Sequence, residues 1–203
     1  MNKAAGSLEA AVQVFRQHGG LMRTSEAMCA GVNPATLYEL RDAGVLVRVA
    51  RGLYRLRERE PLSNPDLAIV GARVPAAVIC LISALDWYDL TTQIPHEIHI
   101  ALPKSARRPR LEWPPVHVHK FSDPAYSAGV EVHEVDGVPV RIYNPEKTLA
   151  DCFKFRNQVG LDVVLEALRK YLRRGRPKVE ELLEYARICR VRRVMRPYLE
   201  ALL

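Results

Sequence analysis

An α+β fold in two parts is predicted by three observations. Residues 1–60 hold three short amphipathic helical patterns followed by a β-ribbon pattern. Residues 61–143 place strand-like alternation between helical segments, and from Asn144 the periodicity turns helical and stays so. Basic charge gathers at both ends: residues 1–60 carry a net charge of +3, residues 61–168 carry −3 and residues 169–203 carry +7.

The whole chain of 203 residues has 30 Lys+Arg against 23 Asp+Glu, and 48% hydrophobic residues. That is a globular composition with enough length for a real core. No apolar run approaches the ~20 residues of a membrane span. Glu9 and Gln13 interrupt the N-terminal stretch, so no apolar leader core is seen, and a soluble, cytoplasmic protein is expected. Cys29, Cys80, Cys152 and Cys189 are scattered without a CxxC pair, which suits reduced, mostly buried thiols. The stretch from Glu60 to Pro65, with two prolines and small polar residues, is the expected linker. It divides the chain into an N-terminal domain at 1–60 and a C-terminal α+β domain at 61–203 with an antiparallel sheet and a helical end.

The first domain has the pattern of a winged helix-turn-helix. Ser7 is placed to cap a helix with Leu8, Ala11, Val12 and Phe15 on one face, ended by Gly19-Gly20. A second helix is expected from Thr24 to Ala30, opened by the Thr24 hydroxyl. Gly31 supplies the turn. Asn33-Pro34 opens the third helix, with Asn as cap and Pro where its missing N–H costs nothing. Ala27 is small where the two helices cross, and Leu37 and Leu40 face inward. Asn33, Ala35, Thr36, Glu39 and Arg41 are then left to solvent or a major groove, while Tyr38 fits either core or contact. The alternating run Val45–Val49 and the run Leu53–Leu56 flank Ala50-Arg51-Gly52, a hairpin turn, and form the wing. Candidate DNA-binding residues are Arg23, Thr24, Asn33, Ala35, Thr36, Tyr38 and Arg41 on the helices, and Arg48, Arg51 and Arg55 on the wing.

In the second domain, Pro65–Val74 and Ala76–Leu90 are helical in pattern, and Glu97–Leu102 and Pro115–Phe121 alternate as strands. Asp136-Gly137 joins Val130–Val135 to Val138–Tyr143 as a hairpin. Helices follow at about 145–157, 161–173, 177–188 and 190–202. Asp151 can pair with Lys147 at i,i+4, or with Lys154 or Arg156 nearby, in a helix start that ties the hairpin to the helices. Lys170, Arg173, Arg174, Arg187, Arg190 and Arg193 offer either a solvated face or a second basic surface for DNA or an acidic partner.

Catalytic signatures are missing. His96 and His99 are three apart on a strand, not four apart on a helix, so they make no zinc-protease motif; His99, His117 and His119 can meet across strands but lack a further ligand at defined spacing. No phosphate-binding glycine loop and no nucleophile elbow is present. No catalytic residue, metal or cofactor is therefore assigned. A metal-dependent nuclease among Glu131, Glu134, Asp136, Glu146 and Asp151, and a winged helix that binds only protein, are the rival readings.

Four segments occur in a specific order: Arg51-Gly52-Leu53-Tyr54 closing the winged helix, VICLISAL at Val78–Leu85, P-x-x-I-x-I-A-L-P at Pro95–Pro103, and EKTLAD at Glu146–Asp151. Together they resemble AbiEi antitoxins, the transcriptional regulators of type IV toxin–antitoxin systems, over about residues 7–173. The resemblance implies a non-catalytic repressor without cofactor. Its winged helix binds inverted repeats of double-stranded DNA in its own promoter, and its C-terminal domain counters a nucleotidyltransferase-like toxin.

Overall fold

The computed structural model describes residues 2–58 and 61–202. Glu60, at the head of the expected linker, lies outside them. The chain forms two compact units. The first comprises Met1–Pro75 with Glu134–Val140, and the second comprises Ala76–His133 with Arg141–Leu203. The first unit thus runs on past residue 60 to take in a further helix.

That unit runs α1 (Asn2–Gln17), β1 (Leu21–Arg23), α2 (Thr24–Cys29), α3 (Pro34–Asp42), β2 (Leu46–Ala50), β3 (Leu53–Leu56) and α4 (Pro65–Arg73). Its sheet has the order β1-β3-β2, all antiparallel. β1 has three residues, too few to show alternation in the sequence. Ala11, Phe15, Met22, Ala27, Leu37, Leu40, Leu46 and Tyr54 form one core. Ser7 sits inside α1 rather than capping it, and its hydroxyl lies 3.3 Å from that of Thr36. Alanine-rich sequence before Ser7 lets the helix start earlier. α2 is not opened by a Thr24 hydroxyl either. The Glu26 carboxylate reaches back to accept from the Arg23 N–H at 2.8 Å, the acidic half of a capping box.

α4 belongs here through named contacts. The Arg73 guanidinium donates to the Arg51 carbonyl at 2.5 Å. Asp136 accepts from the Ser63 N–H and hydroxyl, both at 2.8 Å, and from the Asn64 N–H at 2.9 Å. Against a burial cost, those hydrogen bonds hold its carboxyl below the usual range.

The second unit contains β4 (Val78–Ile79), α5 (Leu81–Trp87), β5 (Ile98–Pro103) and β6 (Val116–Phe121), then α6 (Pro145–Lys154), α7 (Arg156–Val159), α8 (Leu161–Arg173), α9 (Val179–Ile188) and α10 (Arg192–Glu200). The hairpin β7 (Val130–Val135) and β8 (Val138–Tyr143) completes its sheet, in the order β6-β5-β4-β8-β7. The α+β class is as expected, but the sheet is mixed rather than antiparallel. β5 and β6 run parallel from Ile98↔Val116 to Pro103↔Phe121, and β4 is parallel to β8. Residues 104–115 make the long crossover that a parallel pair requires. The apolar stretch Ala76–Leu90 is not one helix. Its first part joins the sheet, the Cys80 N–H donates to the His99 carbonyl at 3.0 Å, and Leu81 turns the chain at φ 49°. A central strand buried on both faces shows no alternation, which is why it looked helical.

α6 organises this unit, touching α5, α8, α9 and α10. Asn144 caps it by accepting from the Lys147 N–H at 2.8 Å, with Pro145 at the first helical position, as the sequence predicts. The expected Lys147–Asp151 pair forms at 2.5 Å with both side chains fully buried. The Lys147 ammonium lies 4.0 Å from the Tyr143 ring centroid, and the Cys189 thiol donates to Asp151 at 3.2 Å. Burial pushes the Asp151 carboxyl up, and Lys147 works against that rise. Gly129, at φ +70°, is needed here, since a Cβ would stand 2.5 Å from Lys147 Cβ.

Removing one partner of such a pair strands a buried charge. Lys147→Met is expected to lower stability by about 3–5 kcal/mol, and the double change Lys147→Met/Asp151→Leu to recover most of the loss. Urea unfolding midpoints of the three proteins check this.

Candidate nucleic-acid interface

The helix-turn-helix is built by packing small and apolar groups inward. Ala27 on α2 is fully buried, and so is Leu37 on α3. Gly31 turns the chain between them at φ +89°, with open space around it. Asn33 caps α3 by accepting from the Ala35 N–H at 2.9 Å. This leaves Asn33, Ala35, Tyr38 and Glu39 exposed along one face, and Tyr38 is 46% exposed. Tyr38 is therefore a surface residue, not core.

Three helical candidates stand differently from expectation. Thr36 is only 8% exposed and faces α1 through Ser7, so it supports the helix rather than the groove. Arg23 donates twice to Glu26, at 2.7 and 2.9 Å, and is committed to the capping box. Arg41 is held by Asp42 at 2.7 Å and stacks 5.0 Å from the Tyr38 ring centroid. The hydrogen bond it donates to Asp42 raises its pKa. α3 thus carries a net charge of −1, with Arg41 balanced by Asp42 and Glu39 left over.

Positive charge at this end comes from the wing. Arg48 is exposed, with its Nε 3.4 Å from the Ala50 carbonyl, and Arg51 is exposed in the hairpin turn beside Gly52 at φ +69°. The Thr24 N–H donates to the Gly52 carbonyl at 2.9 Å, which ties the start of α2 to the wing turn. Arg55 departs from the group. Its register partners are Leu21 and Val47, whereas Arg48 pairs with the core residue Tyr54, so the two arginines leave opposite faces of the ribbon. Arg55 lines a groove of the first unit with Glu58, Glu134 and Asp136. The structure therefore leaves Asn33, Ala35, Tyr38, Arg48 and Arg51 exposed, with Thr24 and Arg41 partly so, whereas Arg23 is engaged by Glu26, Thr36 turns toward α1 and Arg55 leaves the other face of the ribbon.

The C-terminal cations are partly neutralised. Lys170 pairs with Glu166 at 2.9 Å and Arg187 with Glu184 at 2.6 Å, while Arg174 donates to the Tyr88 carbonyl. Arg173, Arg190 and Arg193 are exposed.

The parallel register also brings the three histidines together. His99 and His119 share a hydrogen bond at 3.0 Å, and His117 lies 2.9 Å from Glu97. Among the described residues, no group of three or more His, Cys, Asp or Glu side chains is arranged to hold a metal ion. Burial and the neighbouring imidazoles hold His119, 6% exposed, down to about 4, and His99 shifts the same way. The unfolded chain thus takes up protons first. Stability is full above pH 6.5 and falls as pH drops from 6.5 to 4, by about 3 kcal/mol for His119. His119→Gln is expected to flatten the unfolding midpoint between pH 7 and 4.5.

A short helix pair with a buried small crossing residue, a capped third helix and a basic ribbon define a winged helix-turn-helix regulator. A family model described as a transcriptional regulator, AbiEi antitoxin, matches residues 9–57, from within α1 to the end of β3. Over those residues the chain is similar to AbiEi antitoxin regulators, and the resemblance drawn from its sequence is borne out there. No curated protein matches the chain. The crystal structure of the RV2827C protein from Mycobacterium tuberculosis is similar at a TM-score of 0.55 and 17% identity, covering 94% of this chain and 79% of that one. At that identity the likeness is one of fold. No helix of the described residues is long and apolar enough to cross a membrane.

Proposed function

We propose that this protein represses transcription of its own toxin–antitoxin operon and counters the toxin encoded there. Residues 1–60 act as the DNA-binding domain and residues 61–203 as the antitoxin domain. The carrying observation is the exposed, capped face of α3 beside the wing arginines, within a segment that matches a family of antitoxin regulators. α3 enters the major groove of the promoter repeats. Asn33, Ala35 and Tyr38 meet base edges there, and Arg41 lies beside them. Arg48 and Arg51 hold the flanking phosphates and set the register, with Thr24 steadying the wing. Because α3 itself carries a net charge of −1, affinity rests on the wing and on the general attraction of a basic chain for a polyanion. The partner toxin has nucleotidyltransferase-like chemistry, and the antitoxin works without catalysis or cofactor in the cytoplasm.

Gel retardation on the upstream promoter fragment tests the repressor half. Specific binding is expected to fall steeply with salt. Arg51→Ala is expected to weaken binding to every sequence and to lower the log–log salt slope by about one. Asn33→Ser keeps the helix cap and is expected to change sequence preference instead. Co-expression of the full chain with the adjacent nucleotidyltransferase-like gene product, scored by growth, tests the antitoxin half.

A further inference from the structure

The crossover between β5 and β6 has a composition that neither the fold nor the winged helix explains. Residues 104–115 read KSARRPRLEWPP, with Lys104, Arg107, Arg108 and Arg110 set against Glu112. All four cations are exposed, and among the described residues none of their charged side-chain groups makes a hydrogen bond or ion pair. Trp113 follows at 61% exposure.

The loop is held firmly while its cations point outward. At one end the Lys104 N–H donates to the Phe121 carbonyl at 2.9 Å, and the Lys120 ammonium donates to the carbonyls of Pro103 and Ala106. At the other end the Ile98 N–H donates to the Pro115 carbonyl at 2.9 Å, and Pro114 is buried. Pro103, Pro109, Pro114 and Pro115 each fix one backbone angle. These restraints reduce the backbone freedom lost on binding, while the unpaired side chains keep theirs.

Four unpaired cations suit any polyanion, and the indole decides among them. A wide aromatic face beside guanidinium groups matches the flat face of a nucleic-acid base. Bases within a duplex are stacked on both sides, so the free face belongs to an unpaired strand. A lipid surface would need apolar neighbours to enter with the tryptophan. Here Arg110 and Glu112 are exposed, and Leu111 is half-buried. Arg107 and Trp113 stand at most ~20 Å apart along the chain, a span of about four nucleotides, at the short end of single-strand site sizes.

We propose that the 104–115 loop binds an unpaired nucleic-acid strand, with Trp113 stacked on a base and Lys104, Arg107, Arg108 and Arg110 on the phosphates. This site is separate from α3 and does not depend on duplex recognition there.

The test titrates the full chain with a fluorescein-labelled octamer of deoxythymidine and with the matching octauridine, reading anisotropy and tryptophan fluorescence together. Quenching is expected, and only Trp87 and Trp113 can report it. Trp113→Phe is expected to retain binding within about threefold while losing the quenching. Trp113→Ala is expected to weaken binding by about fivefold to a hundredfold. Arg107→Ala/Arg108→Ala is expected to lower the salt slope by about 1.4. Equal affinity in the parent protein and all these variants would overturn the site. So would preference for a duplex of the same length, which would make the loop a plain backbone contact. A Trp113 blue shift with phosphatidylserine vesicles, and none with either oligonucleotide, would assign the loop to a membrane surface instead.

Discussion

Lys147 and Asp151 are both withdrawn from water, and the second unit is arranged around that fact. Two buried charges are tolerated only when each has a partner and its remaining polar atoms are satisfied. The i,i+4 spacing on α6 supplies the pair. Tyr143, at the end of β8, lends its ring face to the ammonium. Cys189, beyond α9, lends a thiol proton to the carboxylate. The Thr148 hydroxyl donates to the Tyr143 carbonyl at 3.1 Å, which keeps the hairpin strand in step with the helix. Strand, helix and C-terminal helices therefore meet at one polar point within an apolar core. The same point governs the cysteines. Burial, then the Asp151 charge, pushes the Cys80, Cys152 and Cys189 thiols up, Cys189 to about 12, so these sulfurs stay protonated and chemically quiet.

The first unit solves a different problem, because its exposed face must stay available. Its core is made almost wholly of aliphatic and aromatic contacts, and its polar groups are spent on helix ends. Asn33 caps α3, Glu26 caps α2, and Asp136 holds the approach to α4. Arg41 is steadied by Asp42, so it lies in a defined position rather than sweeping through solvent. Shape and charge are supplied by different elements, α3 and the wing.

Much of this was legible in the sequence, for identifiable reasons. Asn33-Pro34 and Asn144-Pro145 are local signals, and both open helices as expected. Asp136-Gly137 marks its hairpin because only a few residues tolerate the left-handed turn, and both adopt it. Three kinds of feature escaped. The two-residue strand β4 is hidden in an apolar run, since burial on both faces erases alternation. The inward turn of Thr36 depends on how α1 packs on α3, and the opposite facing of Arg48 and Arg55 on strand register, neither of which a single segment's sequence displays. Arg23 looked like a free cation because its engagement with Glu26 needs the α2 geometry to be known. Of the candidate interface, the helix and the wing were readable as elements. Which side chains they turn outward was not.

The hairpin tip that carries Asp136 belongs to the first unit although more than fifty residues separate it from Pro75. A chain leaving the ribosome at about 5–20 residues per second therefore presents the whole helix-turn-helix and α4 several seconds before the segment that completes them. Ser63 and Asn64 wait through that interval for their carboxylate. By the time it arrives, β5 and β6 have also been made. The order of synthesis thus delays the finished first unit until most of the sheet exists, so a nascent chain cut short before Asp136 lacks part of it.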